Sequence, residues 1–239
     1  LYVGVGDGAQ PLNAQDLDVR QGKLLRLNKD GSIPADNPTS FQVRPSPGSG
    51  VVTEFTTGVY RSIYAVGLRN PFSLDFDELT GTLYVGDVGQ EDWEELNVMA
   101  RGANYGWPQT RDGDFAQSSF PEATRPIYTY AHGTGNRLGY AIVGVTSYRS
   151  SGPNAFPASY QGDILFGDFS GNGWVNGIDP ANPPANSGAE VFATGFAGLV
   201  DLEVGPDGAL YAAQRWETVP GVVRIRPNTA TPPAIASAA

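Results

Sequence analysis

Two stretches far apart in the chain, "FSLDFDELTGTLYV" (72–85) and "VDLEVGPDGALYA" (200–212), share one form: an alternating apolar run, an Asp/Gly turn and a second β-rich run. Alternation turns one face of each run inward, and the turn residues join the runs as an antiparallel hairpin. The second half of the unit recurs as "LYVGVGDG" at 1, "TLYVGDVGQ" at 82, "DILFGDFSG" at 163 and "ALYAAQRW" at 209. Outer-strand echoes follow in "GKLLRLN" (22–28) and "GVVRIRP" (221–227). The aromatics Tyr2, Tyr84, Phe166 and Tyr211 stand 82, 82 and 45 residues apart. The last spacing fits one propeller blade of about 40–50 residues. The longer ones call for an inserted loop or a blade whose motif has drifted. No segment holds a helical apolar period for long, so the expected fold is all-β and a β-propeller, with a two-sheet sandwich as the alternative.

Gly 31 and Pro 19 are high, yet hydrophobic residues reach 40%, which a disordered chain could not carry. Residues 1–227 are expected to form the propeller domain, and 228–239, rich in Pro, Ala and Thr, a tail or linker. The chain opens in what reads as the middle of a strand. The expectation is a processed chain or fragment, with an N-terminal segment or a partner chain completing the ring. Fifteen Lys+Arg against 25 Asp+Glu give a net charge of −10 with no basic run, which disfavours nucleic acid and anionic membrane as partners. Without cysteine there is no disulfide, thiolate nucleophile or Cys-ligated metal, and no apolar run is long enough to span a bilayer.

The stretch "GDVGQEDWEELNVMARGANYGWP" (86–108) crowds Asp87, Glu91, Asp92, Glu94 and Glu95 together, with no cation before Arg101. Calcium takes its oxygens from carboxylates and backbone carbonyls, and glycine-rich turns expose carbonyls, so a divalent cation would relieve the repulsion. The plainer reading makes Glu91, Asp92 and Glu94 a solvated loop face. Asp87, Asp168 and Asp207 stand at strand ends beside glycine. A carboxylate pair across a channel would suit glycosidic cleavage, but Asp-Gly is ordinary turn chemistry, and the turn reading is expected. Trp93, Trp107, Trp174 and Trp216 are expected to wedge between blades rather than stack on a sugar.

"GKLLRLNKDGSIPADNP" (22–38), "IYAVGLRNPFSLDFD" (63–77), "GDVGQEDWEELN" (86–97), "NYGWP" (104–108) and "GPDGALY" (205–211) stand in the order of similar segments in the glucose/sorbosone dehydrogenase family. The chain resembles that family over nearly all of residues 1–227. The family contains soluble pyrroloquinoline quinone (PQQ) dependent aldose sugar dehydrogenases and the related domain of hedgehog-interacting proteins. The resemblance implies a six-bladed propeller of which this chain covers roughly the C-terminal four blades, with calcium and, in the enzymes, PQQ at the top of the channel. It further implies a sugar substrate, an electron acceptor and a secreted or periplasmic location. The family's structural calcium is bound by a Glu and a Tyr carbonyl that match Glu95 and Tyr105. The carbonyls at its cofactor-site calcium match Gly89 and Gln90, and the Arg and Asn that contact PQQ match Arg69 and Asn70. On residue chemistry alone, Arg69 offers a planar fork to a carboxylate or quinone oxygens, or else bridges blades through carbonyls. Gln15 and Asp16 read as packing or capping residues.

The sequence also departs from the enzymes. Their general base is a His upstream of the segment matching Leu1, and His132, in "YAHGTGN", reads as a loop residue. A Lys and two Arg of the enzymes correspond here to Ser170, Gly198 and Val200. Losing charge-assisted contacts at about 1.5–3 kcal/mol each would lower affinity for a tricarboxylate by orders of magnitude. Two functions follow. One is PQQ- and calcium-dependent oxidation of aldose sugars, with hydride transfer to the quinone. The other is a non-catalytic, calcium-stabilised propeller that binds a protein or glycan, towards which "GDFSGNGW" and "YAHGTGN" point by similarity to the hedgehog-interacting branch.

Overall fold

A computed structural model of the chain describes residues 1–110, 120–170, 173–215 and 221–228. The first sheet contains β1 (Tyr2–Val5) and β2 (Lys23–Arg26); after an inserted hairpin of β3 (Ser40–Val43) and β4 (Val52–Phe55), β5 (Ile63–Val66) joins it on β2. The second runs in order through β6 (Pro71–Asp77), β7 (Thr82–Asp87), β8 (Trp93–Val98) and β9 (Tyr128–Ala131). The third holds β10 (Ile142–Ser147), β11 (Ile164–Asp168), β12 (Gly173–Ile178) and β13 (Glu190–Phe196). The fourth holds β14 (Leu199–Val204), β15 (Leu210–Gln214) and β16 (Gly221–Ile225). Every pairing in these sheets is antiparallel between successive strands, apart from the jump over the inserted hairpin.

Both sequence hairpins are present, as β6–β7 with Asp77 opposite Thr82 and as β14–β15 with Val204 opposite Leu210. Asp77 closes the first turn by accepting from Leu79 N and Gly81 N. Gly208 takes φ +87° in the second, a conformation that glycine adopts without penalty. The aromatic repeat falls on β1, β7, β11 and β15, and the outer-strand echoes are β2 and β16. The 82-residue spacings therefore hold inserted segments: the β3–β4 hairpin in the first, and the long β8–β9 and β10–β11 connections in the second.

Successive sheets pack face to face, because each is apolar on both faces and none can bury both alone. Leu24, Ala65 and Leu68 meet Leu83, Val85 and Tyr105 between the first and second sheets. Tyr128 and Tyr130 meet Ile142, Phe166 and Trp174 between the second and third. Val143, Leu165 and Val175 meet Leu199, Leu202 and Leu210 between the third and fourth. The inner strands β6, β10 and β14 stand side by side. Side chains bridge the first two: Val145 N donates to Ser73 Oγ at 2.7 Å and Ser147 N to Asp75 at 2.8 Å. At Gly144 a Cβ would lie 2.6 Å from Leu202 N, so only glycine lets β10 come this close to β14. This is the stacked-blade arrangement of a propeller, covering part of a ring.

At the far end of β6 the second and third sheets are tied by Arg149, which donates Nε and Nη2 to the two oxygens of buried Asp77 at 3.1 and 2.7 Å. That bidentate bond pulls the Asp77 carboxyl down to about 2. The stabilisation is complete above the ordinary Asp range, near pH 4, and is lost as pH falls towards 2. With Arg149 partly exposed, it amounts to about 2 kcal/mol. Urea unfolding should show Asp77→Asn less stable by about that amount at pH 7, the gap closing by pH 2; a gap that persists in acid would remove the ion pair from the account.

Candidate functional site

β6, β10 and β14 begin at one end of the fan, the mouth, where the second sheet carries the sequence-predicted site. Between β5 and β6 the chain turns through Gly67, Leu68, Arg69 and Asn70. Asp87, at the end of β7, accepts Arg69 N at 2.9 Å and Asn70 N at 2.6 Å, one on each carboxylate oxygen. Val88 N returns a bond to Asn70 O at 3.1 Å, and Asp7 N donates to Arg69 O at 2.7 Å. The turn is thus pinned from both sides. The Arg69 guanidinium folds over the next loop, donating Nε to Gln90 Oε1 and Nη1 to Val88 O, each at 2.9 Å. Arg69, Asn70, Gly89 and Gln90, distant in sequence, form one cluster.

The NYGWP segment supports this cluster from behind. Gln15 and Asn104 exchange side-chain hydrogen bonds of 3.0 and 2.7 Å, and Gln15 also donates to Trp107 O at 2.7 Å. A Cβ on Gly67, at φ +76°, would lie 2.1 Å from Asn104 Oδ1, so this contact requires glycine. Trp107 Nε1 donates to Asp7 at 3.0 Å. Gln15 is a packing residue, as expected, and Asp16 caps its own turn through Asp18 N.

The acidic stretch is dispersed by strand geometry. Alternation along β8 sends Glu94 and Glu95 to opposite faces. Glu91 is exposed, but Glu94 is fully buried, which corrects its assignment to a solvated loop face. Its Oε1 lies 2.7 Å from His132 Nε2, and its Oε2 accepts from Ile142 N at 2.9 Å and Gly89 N at 3.3 Å. His132 does lie in a loop, but it is committed to Glu94. Glu95, also buried, is opposite Asp87 on one side and Thr129 on the other, and accepts from Asn97 Nδ2 at 3.1 Å. Two oxygens of this region, Asn97 Oδ1 and Thr129 Oγ1, are buried without a hydrogen-bond partner. Tyr105 bridges Val98 O and Ala100 N through its hydroxyl, and burial raises its pKa, with the Glu95 charge adding to the effect. Among the described residues no three His, Cys, Asp or Glu side chains converge on one point, so any cation here needs neutral oxygens as well.

Asp87, Glu94 and Asp168 are buried carboxylates at the mouth, near the buried Asp7 and Glu95. Desolvation raises the pKa of the first three, that of Asp87 to about 7. Asp168 accepts from Tyr130 Oη, Tyr140 N, Ala141 N and Ser170 N. Engaged in this way, Asp87 and Asp168 act as loop anchors and not as an acid/base pair for glycosides. Asp207 closes a turn through Ala209 N and pairs with Arg224. Ser170, Gly198 and Val200 put no cation after β11 or at the start of β14. Trp174 wedges between the second and third sheets; Trp216 and residues 229–239 of the tail lie outside the described residues. One cation was missed in the sequence. Lys23 is completely buried, donates to Asn13 O and Gln21 O, and has its pKa lowered to about 7 by desolvation.

A partial propeller whose Arg–Asn turn is pinned against a glycine-rich loop defines a class, and comparison with known proteins gives the family. The chain matches the Glucose / Sorbosone dehydrogenase model over residues 1–218 and belongs to that family. It is 29% identical over 217 residues to the aldose sugar dehydrogenase YliI of Escherichia coli, an alignment covering 88% of this chain and 53% of YliI. It is 30% identical over 224 residues to the HIPL1 protein of Arabidopsis thaliana, covering 80% of this chain and 29% of that protein. It is 37% identical over 118 residues to quinoprotein glucose dehydrogenase B of Acinetobacter calcoaceticus, covering 48% and 21% respectively. The PQQ-bound aldose sugar dehydrogenase of Streptomyces coelicolor superposes with a TM-score of 0.60 at 22% identity, over 89% of this chain and 52% of that one, which establishes a shared fold. The chain spans about half the length of YliI and less of the other curated relatives. No described helix is long and apolar enough to cross a membrane.

Proposed function

We propose that this chain is part of a PQQ- and calcium-dependent aldose sugar dehydrogenase, secreted or periplasmic, that passes electrons to an external acceptor. The observation that carries the reading is the Asp87-clamped Arg69–Asn70 turn, which holds a guanidinium beside the Gly89–Gln90 loop at the mouth in a member of this family. Relatives named as an aldose sugar dehydrogenase and a quinoprotein support it. When bound, PQQ supplies a quinone that accepts hydride from the sugar. The residues present suit it: Arg69 has donors beyond the two used by Gln90 and Val88, and Asp87 fixes Arg69 and Asn70 to orient carboxylate or quinone oxygens. The carbonyls of Gly89 and Gln90 would hold a calcium there. The proton acceptor for the sugar hydroxyl is not assigned to this chain, because His132 is engaged by Glu94.

A structural calcium at Glu95 and the Tyr105 carbonyl fits the local chemistry, since the buried, unpartnered oxygens of Asn97 and Thr129 suit a hard cation. At saturating calcium a bound ion stabilises the fold by about 3 kcal/mol when its concentration is about a hundred times Kd. Glu95→Ala should abolish the calcium-dependent rise in melting temperature; the same rise in the variant would remove Glu95 from the ligands.

The second reading, a non-catalytic calcium-stabilised propeller that binds a protein or glycan, is favoured by one observation. The mouth combines several buried carboxylates with neutral residues at Ser170, Gly198 and Val200, a poor field for a tricarboxylate. Reduction of an electron-accepting dye on adding PQQ, calcium and an aldose separates the two readings.

A further inference from the structure

Glu94 is a completely buried carboxylate to which neither the calcium sites nor the quinone contacts assign a task. Taking such a group out of water carries a desolvation cost that an apolar side chain of similar size would avoid, so its oxygens must do something a methyl group cannot. They meet the loop that carries Gly89 and Gln90. Oε2 accepts Gly89 N at 3.3 Å and Ile142 N at 2.9 Å, tying the loop to the start of the third sheet's inner strand. Oε1 is 2.7 Å from His132 Nε2, and His132 N in turn donates to Asp92 O at 2.9 Å. The loop is therefore held at position 89 by the carboxylate and at 92 by the histidine, while Gln90 and Glu91 between them are exposed. Gln90 Oε1 takes the Nε proton donor of Arg69 at 2.9 Å.

We propose that Glu94, oriented by His132, is a positioning residue for the Gly89–Gln90 loop and, through Gln90, for the guanidinium of Arg69. This deepens the quinone reading and rests on it. Two exposed residues between fixed points are ordered by those points, and groups behind a ligand set commonly govern affinity by about 10- to 100-fold. Glu94→Gln keeps the shape but puts an NH2 where one carboxylate oxygen stood, so the side chain cannot accept from all its present partners. His132→Asn keeps the carboxylate and removes its orienting partner, and it carries the test if the first variant folds poorly.

The experiment uses the full chain with calcium in excess, following amide hydrogen exchange over 88–92 and the dissociation constant for PQQ in the wild type and both variants. Exchange in this loop is expected to rise by about tenfold or more while β11 and β12 stay protected, with PQQ binding weakened by about tenfold or more. Exchange and PQQ binding both within about twofold of wild type in the two variants would overturn the proposal. Failure of the wild-type chain to bind PQQ would instead overturn the quinone reading, and the exchange rates alone would then decide whether Glu94 anchors the loop.

Discussion

Asp168→Ala is expected to lower stability by about 3–4 kcal/mol, or roughly 10 °C in melting temperature. The carboxylate sits at the end of β11 with no exposure and gathers Tyr130 Oη at 2.8 Å, Tyr140 N and Ala141 N at 3.0 Å and Ser170 N at 2.8 Å. Alanine leaves those donors without an acceptor, and the Tyr130 hydroxyl, completely buried, has no water to turn to. The site is shaped around the anion, since a Cβ on Gly139 would fall 2.0 Å from Asp168 Oδ2. Burial raises the carboxyl pKa, so the group costs energy to keep charged, yet its removal costs more. Thermal melts would check this, and a variant within about 1 kcal/mol of wild type would show that the loop re-satisfies its donors.

Trp174→Ala is expected to cost about 4 kcal/mol, the usual loss for a fully buried tryptophan. The ring stands edge-on to Tyr130 at 5.0 Å and Phe166 at 5.9 Å, and its Nε1 donates to Leu138 O at 2.8 Å. Truncation opens a cavity between the second and third sheets and leaves the Leu138 carbonyl without its donor. Trp174→Phe should recover much of the packing but not the hydrogen bond, leaving a deficit of about 1–2 kcal/mol. Chemical denaturation of both variants measures the two contributions. A phenylalanine variant as stable as wild type would mean that the indole N–H contributes nothing, and a negligible loss for alanine would contradict the wedge.

The hairpins at 72–85 and 200–212 were legible because alternation and an Asp/Gly turn are local signals, and β1, β7, β11 and β15 followed from the repeated aromatic. Whether the long gaps held insertions or drifted blades was not, since spacing alone cannot tell a loop from a weak strand. Arg69, Asn70, Gly89 and Gln90 stand out in the sequence only by resemblance; in the fold Asp87 fixes the first two and the Arg69 guanidinium reaches the loop through Gln90 and Val88. The burial of Glu94 is masked in the sequence by the charges of its neighbours, which read together as a solvated face. The alternation in "WEELNV" already put Glu94 on the face of Leu96, away from Glu95. Its partner His132 lies 38 residues away, a pairing no local pattern shows. Lys23 is buried by the connection between β1 and β2, whose path depends on Gly22 fitting against Ala14, where a Cβ would lie 2.5 Å from Ala14 Cα.

Whether this chain holds the quinone is decided by a calorimetric titration of PQQ into the purified chain with calcium present, followed by aldose and an electron-accepting dye. Calcium-dependent binding with a dissociation constant of about 1 μM or below is expected, weakened in Arg69→Ala. No binding, with the calcium-dependent rise in melting temperature intact, would contradict it and leave the calcium-stabilised binding propeller as the function.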